Sequence, residues 1–142
     1  MNIKLSSRLT AVASMVRKGS VAADIGTDHG YLPAYLISQG ISPYTIASDV
    51  SQGPLNAAKE VVELLALGRK VDLRLGDGLK VLSPDEADTI CIAGMGASTI
   101  IKILAGTPDV LTEVKRLVLQ PMRGASQLRR WLMEHGWDIV DE

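Results

Sequence analysis

The stretch Ala23-Asp24-Ile25-Gly26-Thr27-Asp28-His29-Gly30 decides the fold. It follows the short apolar run Val21-Ala22 and precedes a segment with helical spacing, which is typical of the first strand-to-helix turn of an α/β domain. The acid of the strand is followed by one glycine in the loop and a second glycine where the helix begins. We expect Gly26 to let a ligand approach the backbone closely, and Gly30 to relieve crowding where the helix packs back on the sheet.

The same turn favours S-adenosylmethionine over a dinucleotide as the ligand. A dinucleotide-binding turn reads G-x-G-x-x-G and directs a helix N-terminus at a pyrophosphate. Here the middle glycine is absent and Asp28 stands in the loop. Because a carboxylate repels phosphate but attracts an ammonium or sulfonium group, we expect S-adenosylmethionine rather than NAD, and no metal.

Strands and helices alternate along the rest of the chain. The strands are predicted at 21–25, 44–48, 71–75, 89–93 and 117–120, with a sixth beginning over 137–140. The helices are predicted at 6–16, 31–39, 54–67, 97–104 and 125–135. This alternation indicates βαβ units. We therefore predict one α/β domain over residues 1–142, with a mainly parallel sheet and helices on both faces.

Composition narrows the class of protein. The chain has 142 residues, of which 46% are hydrophobic and 22% charged, as in an ordinary globular domain. Its net charge of −1 argues against a stand-alone nucleic-acid binder. No apolar run approaches a membrane span, and Met1–Lys4 lacks the start of a signal peptide. Cys91 is the only cysteine, so an internal disulfide is impossible and a cytoplasmic location is expected.

Acids and glycines cluster at the predicted strand ends. Asp24, Asp49 and Asp77 belong to the ends of the first three strands, and Gly94-Met95-Gly96 follows the fourth. Open α/β sheets bind ligands outside the carboxyl ends of their strands. Asp49 is placed to hold both hydroxyls of a ribose, and Asp77 to accept a hydrogen bond from an adenine amino group. Each acid alone could instead cap a helix or lie in a solvated turn, but the three together favour nucleoside binding.

The chain resembles a known family in several motifs. They are Leu5-Ser6-Ser7-Arg8-Leu9, 23–33 with Asp-His-Gly-Tyr-Leu-Pro, Gly53-Pro54, 74–79, 88–96 with Ile-Ala-Gly-Met-Gly, Leu119-Gln120-Pro121, Leu128-Arg129 and Trp131-Leu132. The resemblance is to the bacterial tRNA (adenine-N1)-methyltransferases of the TrmK family, which are class I S-adenosylmethionine-dependent methyltransferases. It implies a Rossmann-like methyltransferase domain that methylates adenine N1, at adenosine 22 of tRNA.

The resemblance and the strand-end positions together give the candidate site. The residues expected to bind the cofactor are Asp24, Gly26, Thr27, Asp28, Gly30, Asp49, Val50, Asp77, Gly78, Ala93, Gly94 and Met95. Asp28 and His29 are the candidate catalytic residues, because they are the best available side chains by position and chemistry. The candidate substrate-binding residues are Tyr31, Gln120, Pro121 and Arg123.

Two other functions stay open. The loop Ala93-Gly94-Met95-Gly96 has no polar side chain where amino-methyltransferases often carry one. The chain could therefore methylate another small molecule or a protein, or bind a cofactor without catalysis. The resemblance also implies a C-terminal helical tRNA-binding domain that is absent here, so we expect the chain to bind the cofactor and to methylate tRNA poorly alone. The oligomeric state is not predicted.

Overall fold

The computed structural model describes residues 3–142 as one α/β domain. The strands are β1 (Ala22–Ile25), β2 (Thr45–Asp49), β3 (Val71–Leu75), β4 (Thr89–Met95) and β5 (Arg116–Pro121). The helices are α1 (Ser7–Ser14), α2 (Tyr31–Ser38), α3 (Gln52–Leu64), α4 (Ala97–Gly106), α5 (Pro108–Leu111) and α6 (Ala125–Glu134), and a 3₁₀ turn covers Gly78–Val81. The predicted Rossmann-like fold is confirmed.

All five strands are parallel, in the order β3-β2-β1-β4-β5. The chain moves outward from β1 to β2 and β3, and then returns to place β4 on the other side of β1. The carboxyl ends of β1 and β4 therefore flank the point where the strand order reverses, which is where open α/β sheets form a crevice for ligands.

Helices cover both faces of the sheet because alternate strand residues point to opposite sides. On one face, Ile90 and Ile92 of β4 belong to a buried cluster with Ile100 of α4 and Leu128 of α6. On the other face, Cys91 of β4 packs in a cluster that includes residues of α1 and α2. Burial raises the pKa of the Cys91 thiol well above its usual value, so this cysteine is an unreactive core residue.

The first helix starts where the sequence predicts. The side chain of Ser6 accepts a hydrogen bond from the backbone N–H of Leu9 at 3.2 Å, which is the geometry of an N-cap. Val12, Ala13 and Val16 are buried as their spacing predicts. The start of α1 is therefore fixed beside the carboxyl ends of the central strands.

The predicted sixth strand is wrong. Residues 137–142 form no strand, because an extended segment becomes a strand only when it pairs with a neighbour. Two short elements were not predicted, namely the 3₁₀ turn at Gly78–Val81 and α5 at Pro108–Leu111. Neither is long enough to show an apolar period.

Candidate functional site

The loop after β1 is bonded to the end of β2. The backbone N–H groups of Gly26 and Thr27 both donate to the carbonyl oxygen of Ser48, at 2.9 and 2.8 Å. The hydroxyl of Ser48 is buried, lines the same cavity as these two residues, and has no hydrogen-bond partner within the described residues 3–142. A buried polar atom without a partner is unusual in a folded protein, and this one belongs to a residue in the wall of the cavity.

The carboxylate of Asp49 connects the ends of β1 and β2. Its Oδ2 accepts a hydrogen bond from the backbone N–H of Asp28 at 3.1 Å, and its Oδ1 accepts one from the N–H of Ser51 at 3.1 Å. A carboxylate oxygen can accept more than one hydrogen bond. Each oxygen of Asp49 therefore keeps capacity for a ligand hydroxyl, as a pair of ribose hydroxyls would require.

Asp77 lies just after the end of β3, in a segment that the hydrogen bonds of Arg74 hold in place. Arg74 donates hydrogen bonds to the carbonyl of Val81 at 2.7 Å and to both carboxylate oxygens of Glu86 at 2.8 and 2.6 Å. The hydrogen bonds from Arg74 lower the pKa of Glu86 to about 2. Asp77 itself is exposed, with Lys80 Nζ at 3.7 Å from its carboxylate. Arg74 thus fixes the segment while the carboxylate of Asp77 stays accessible.

The end of β4 brings an apolar side chain against the loop after β1. The pairing of β4 with β5 shifts register between Ala93 and Met95, so Gly94 forms a bulge. The methyl group of Met95 packs so closely on Gly26 that a Cβ added to Gly26 would lie 2.5 Å from Met95 Cε. The methyl group is the far end of a flexible side chain and could move aside, so glycine is favoured at position 26 mainly by its left-handed φ of +77°.

These loops surround one cavity of about 900 Å³. The predicted site residues that line it are Asp24, Gly26, Thr27, Asp28, His29, Tyr31, Asp49, Val50, Asp77, Gly78, Ala93, Gly94 and Met95. They come from four separate parts of the chain, and the parallel sheet brings them together because the carboxyl ends of its strands share one edge.

Four predicted site residues do not line the cavity. Gly30 faces α3, where a Cβ would lie 2.9 Å from Ala58 Cβ, so the crowding it relieves comes from α3 and not from the sheet. Gln120 and Pro121 lie behind Gly94, at the end of β5. Arg123 is exposed beside Gly96, with its Nε 3.4 Å from a Cβ added there.

Several residues in or next to two helices also line the cavity and were not predicted from the sequence. Ile103 and Lys102 of α4 line the cavity, and Ile103 packs on Gly78 next to Asp77. Leu5 and Leu9, at the start of α1, form another part of the wall. Apolar residues at helical spacing carry no signal that separates a cavity wall from the core, so only the tertiary structure identifies them.

Asp28, His29 and Tyr31 lie together at the mouth of the cavity. The imidazole Nε2 of His29 is 3.9 Å from a carboxylate oxygen of Asp28, and both side chains are more than half exposed. The rings of His29 and Tyr31 are 5.4 Å apart and tilted by 40°. The two candidate catalytic residues thus line the cavity and are accessible from solvent.

Asp24 lies at the base of the cavity and is 7% exposed. Burial raises its pKa from 3.8 to about 6, the carboxylate of Asp49 adds to this rise, and the guanidinium of Arg8 opposes it. A buried carboxylate at this position can attract a cationic group of a ligand, because a positive partner offsets the cost of its burial.

We expect Asp24→Asn to stabilise the ligand-free protein above pH 6. The folded-state pKa of Asp24 lies above 3.8, so the native state binds more protons than the unfolded state between the two values. Stability from this group is therefore lost as pH rises from about 4 to about 6, by up to roughly 3 kcal/mol. Urea unfolding of the wild type and Asp24→Asn at pH 4, 5, 6 and 7 tests this. The exposed Asp138→Asn is the control. If the difference in stability between Asp24→Asn and the wild type does not grow with pH, the raised pKa of Asp24 is contradicted.

The fold and the site define a class of protein. A parallel Rossmann-type sheet with acids at the ends of β1, β2 and β3, all lining one cavity, is a nucleoside-binding domain. The chain belongs to the methyltransferase domain family, which matches residues 5–142.

Known relatives agree with the motifs. The tRNA (adenine(22)-N(1))-methyltransferase of Bacillus subtilis (strain 168) is 43% identical over 140 residues, which is 99% of this chain and 59% of that protein. The crystal structure of the B. subtilis m1A22 tRNA methyltransferase TrmK superposes with a TM-score of 0.95 and 42% identity, over 99% of this chain and 60% of that one. M. capricolum TrmK, solved with S-adenosyl-homocysteine, gives a TM-score of 0.85 and 33% identity over 96% and 60% of the two chains. The predicted resemblance is confirmed, and the chain spans about 60% of these relatives' length.

Residues 3–142 contain neither a helix suited to span a membrane nor a cluster of side chains suited to hold a metal ion. No helix there combines the length and apolar character needed to cross a membrane. No group of three or more His, Cys, Asp or Glu side chains in the same range is arranged to hold a metal ion.

Proposed function

We propose that the chain binds S-adenosylmethionine in the cavity and transfers its methyl group to N1 of an adenine in tRNA, at adenosine 22. The observation that carries the proposal is the convergence of Asp24, Asp49 and Asp77 on one cavity of about 900 Å³. A nucleoside with a cationic amino-acid chain presents an ammonium group, ribose hydroxyls and an adenine amine, and these match the three carboxylates in turn. The relatives named above support the choice of tRNA as substrate.

The residues of the cavity fit this cofactor along its whole length. Asp49 would hold the ribose hydroxyls with the free capacity of its two oxygens. Asp77 would accept from the adenine amine while Ile103 packs on the ring. The buried carboxylate of Asp24 and the hydroxyl of Ser48 would meet the polar amino-acid end. No metal is needed in this arrangement.

The residues of the chain serve alignment and charge stabilisation. The bound cofactor would supply an electrophilic methyl group on a sulfonium. Adenine N1 has a free lone pair and attacks without deprotonation, so holding it in line with the methyl carbon is the main requirement. The methylated adenine is cationic until a proton leaves its exocyclic amine. Asp28, at the cavity mouth beside His29, would stabilise this charge and accept the proton.

Basic side chains at the cavity edge would contact tRNA phosphates. Lys4, just before α1, and Lys102, in α4, line the cavity. Arg123 is exposed next to Gly96. Contacts of this kind position a nucleic acid without reading its sequence. A tRNA-modifying role also implies a cytoplasmic location, which the single cysteine agrees with.

A methyl-transfer assay tests the proposal. Excess protein is incubated with methyl-labelled S-adenosylmethionine and an unmodified tRNA transcript, over hours so that slow transfer is detected. We expect label in the transcript with adenosine at position 22 and none in a matched transcript with guanosine there. Asp49→Ala should abolish the incorporation, and the exposed Asp138→Ala should leave it unchanged.

Each other outcome points to one of the alternatives. Equal labelling of both transcripts would overturn the choice of adenosine 22. No labelling, by a protein that binds S-adenosylhomocysteine in calorimetry, would favour a cofactor-binding module or another methyl acceptor. No binding at all would overturn the cofactor.

A further inference from the structure

The bulge at Gly94 leaves one backbone donor outside the sheet. Ala93 pairs with Gln120 and Met95 pairs with Pro121, so Gly94 has no partner residue on β5. Its φ of +83° lies in the left-handed region that favours glycine. The N–H of Gly94 donates instead to the side-chain Oε1 of Gln120, at 3.0 Å. A side chain therefore replaces the missing backbone acceptor at the point where β4 enters the site.

Arg8 completes this arrangement from the opposite side. Its Nη1 donates to the same Oε1 of Gln120, at 3.4 Å. Its guanidinium lies against Gly94, so that a Cβ added there would be 3.2 Å from Nη1 and 3.8 Å from Cζ. Arg8 and Gly94 line the cavity whereas Gln120 lies behind it. We call Arg8, Gln120 and Gly94 the β4 clamp.

The β4 clamp lies beside the next residue, Met95, whose carbonyl oxygen also accepts a hydrogen bond from the N–H of Met122 at 2.8 Å. Met95 follows Gly94 directly, and its methyl group packs on Gly26 in the loop after β1. The Gly94-Met95 turn is thus held between the clamp on one side and the cofactor loop on the other. A change in the clamp would move the turn relative to Gly26 while leaving Asp49 and Asp77 in place, since neither acid contacts the clamp.

We propose that Arg8 and Gln120 are positioning residues for methyl transfer. This rests on the proposed function. The clamp fixes the Gly94-Met95 turn so that the methyl acceptor, entering past Tyr31 and His29, meets the methyl donor in line. Its main effect is on the rate of transfer, because the contacts proposed for Asp49 and Asp77 with the cofactor do not involve the clamp. The role of Gln120 is to hold Gly94, which differs from the direct contact with substrate expected from the sequence.

Two variants at one position separate this role from a general structural one. Gln120→Leu removes the acceptor at similar volume, whereas Gln120→Glu keeps an oxygen for Gly94 and Arg8. We expect Gln120→Leu to lower kcat for tRNA about 10- to 100-fold, as small misplacements of reacting groups do. The Kd for S-adenosylhomocysteine should stay within about twofold, and Gln120→Glu should restore most of kcat. Adding Arg8→Ala to Gln120→Leu should lower kcat only a little further, because the two residues act as a unit.

A methyl-¹³C spectrum of Met95 reports the turn without requiring activity. We expect the Met95 methyl resonance to shift in Gln120→Leu and to return in Gln120→Glu, with the exposed Met133 as the internal reference. An unchanged Met95 resonance, or unchanged kcat in Gln120→Leu, overturns the proposal. So does a loss of cofactor affinity and Tm in proportion to kcat. If the wild type transfers no methyl group but Met95 shifts as expected, the proposed function fails while the positioning of the turn stands.

Discussion

Asp49→Ala should weaken binding of S-adenosylhomocysteine by roughly 100- to 1000-fold. In the proposed complex the carboxylate of Asp49 accepts two hydrogen bonds from the ribose hydroxyls, and the variant removes both. Each is worth about 1.5 to 2 kcal/mol in a site of this kind, and each 1.4 kcal/mol is about tenfold in affinity. It also removes the acceptor for the N–H of Asp28, which loosens the loop after β1. Isothermal titration calorimetry at pH 7 measures the change directly.

The control for this prediction is Asp138→Ala. Asp138 is exposed in the segment after α6 and lies outside the cavity, so its replacement changes the net charge equally without touching the site. Its Kd should match that of the wild type. An Asp49→Ala variant that is folded and binds within about threefold of the wild type would show that the ribose is held elsewhere.

Gly30→Ala should destabilise the fold by about 2 to 5 kcal/mol. At its φ of +75° an L side chain is strained by about 1 to 2 kcal/mol. The new Cβ would also lie 2.9 Å from Ala58 Cβ and 3.1 Å from Ala58 Cα. The second contact is with the backbone of α3, so relief requires α2 and α3 to move apart, and such overpacking costs about 1 to 3 kcal/mol. Urea unfolding measures the loss.

Gly40→Ala separates strain from crowding. Gly40 has a similar φ of +69°, but an added Cβ there meets nothing within 4 Å. It should therefore show only the conformational cost, about 1 to 2 kcal/mol. Combining Gly30→Ala with Ala58→Gly should recover part of the difference as a coupling energy of about 1 kcal/mol, because the contact with Cβ of Ala58 is lost and the contact with its Cα remains. If Gly30→Ala and Gly40→Ala lost the same free energy of unfolding, the predicted crowding against α3 would be contradicted.

The strand-end acids explain why much of the site could be predicted from the sequence. Asp24, Asp49 and Asp77 each stand at or just beyond a run of β-type residues, and in a parallel sheet such positions meet at one edge. The five strands of the sheet were predictable because each is a short segment, apolar or alternating as in β3, that is bounded by turn residues. The family motifs then added the chemistry.

The remainder of the site depends on contacts that no local pattern encodes. Arg8 contacts Gln120, which lies 112 residues further along the chain. The spacing of hydrophobic residues indicates neither the bulge at Gly94 nor the hydrogen bond that Gly94 donates. From the sequence alone, Ile103 is predicted to be an ordinary core residue of α4. Only the structure shows that it packs on Gly78. The wrong sixth strand has a related cause, because residues 137–140 are extended in pattern but a strand needs a pairing neighbour.

The bonding of the loop after β1 has a consequence for the energetics of ligand capture. The N–H groups of Gly26, Thr27 and Asp28 are all bonded to the end of β2, two through the carbonyl of Ser48 and one through Asp49. In hydrogen–deuterium exchange these amides should behave as sheet and not as loop, opening only when β1 and β2 separate. A ligand therefore meets a preorganised surface, and little of its intrinsic affinity is lost to freezing the backbone on which it rests.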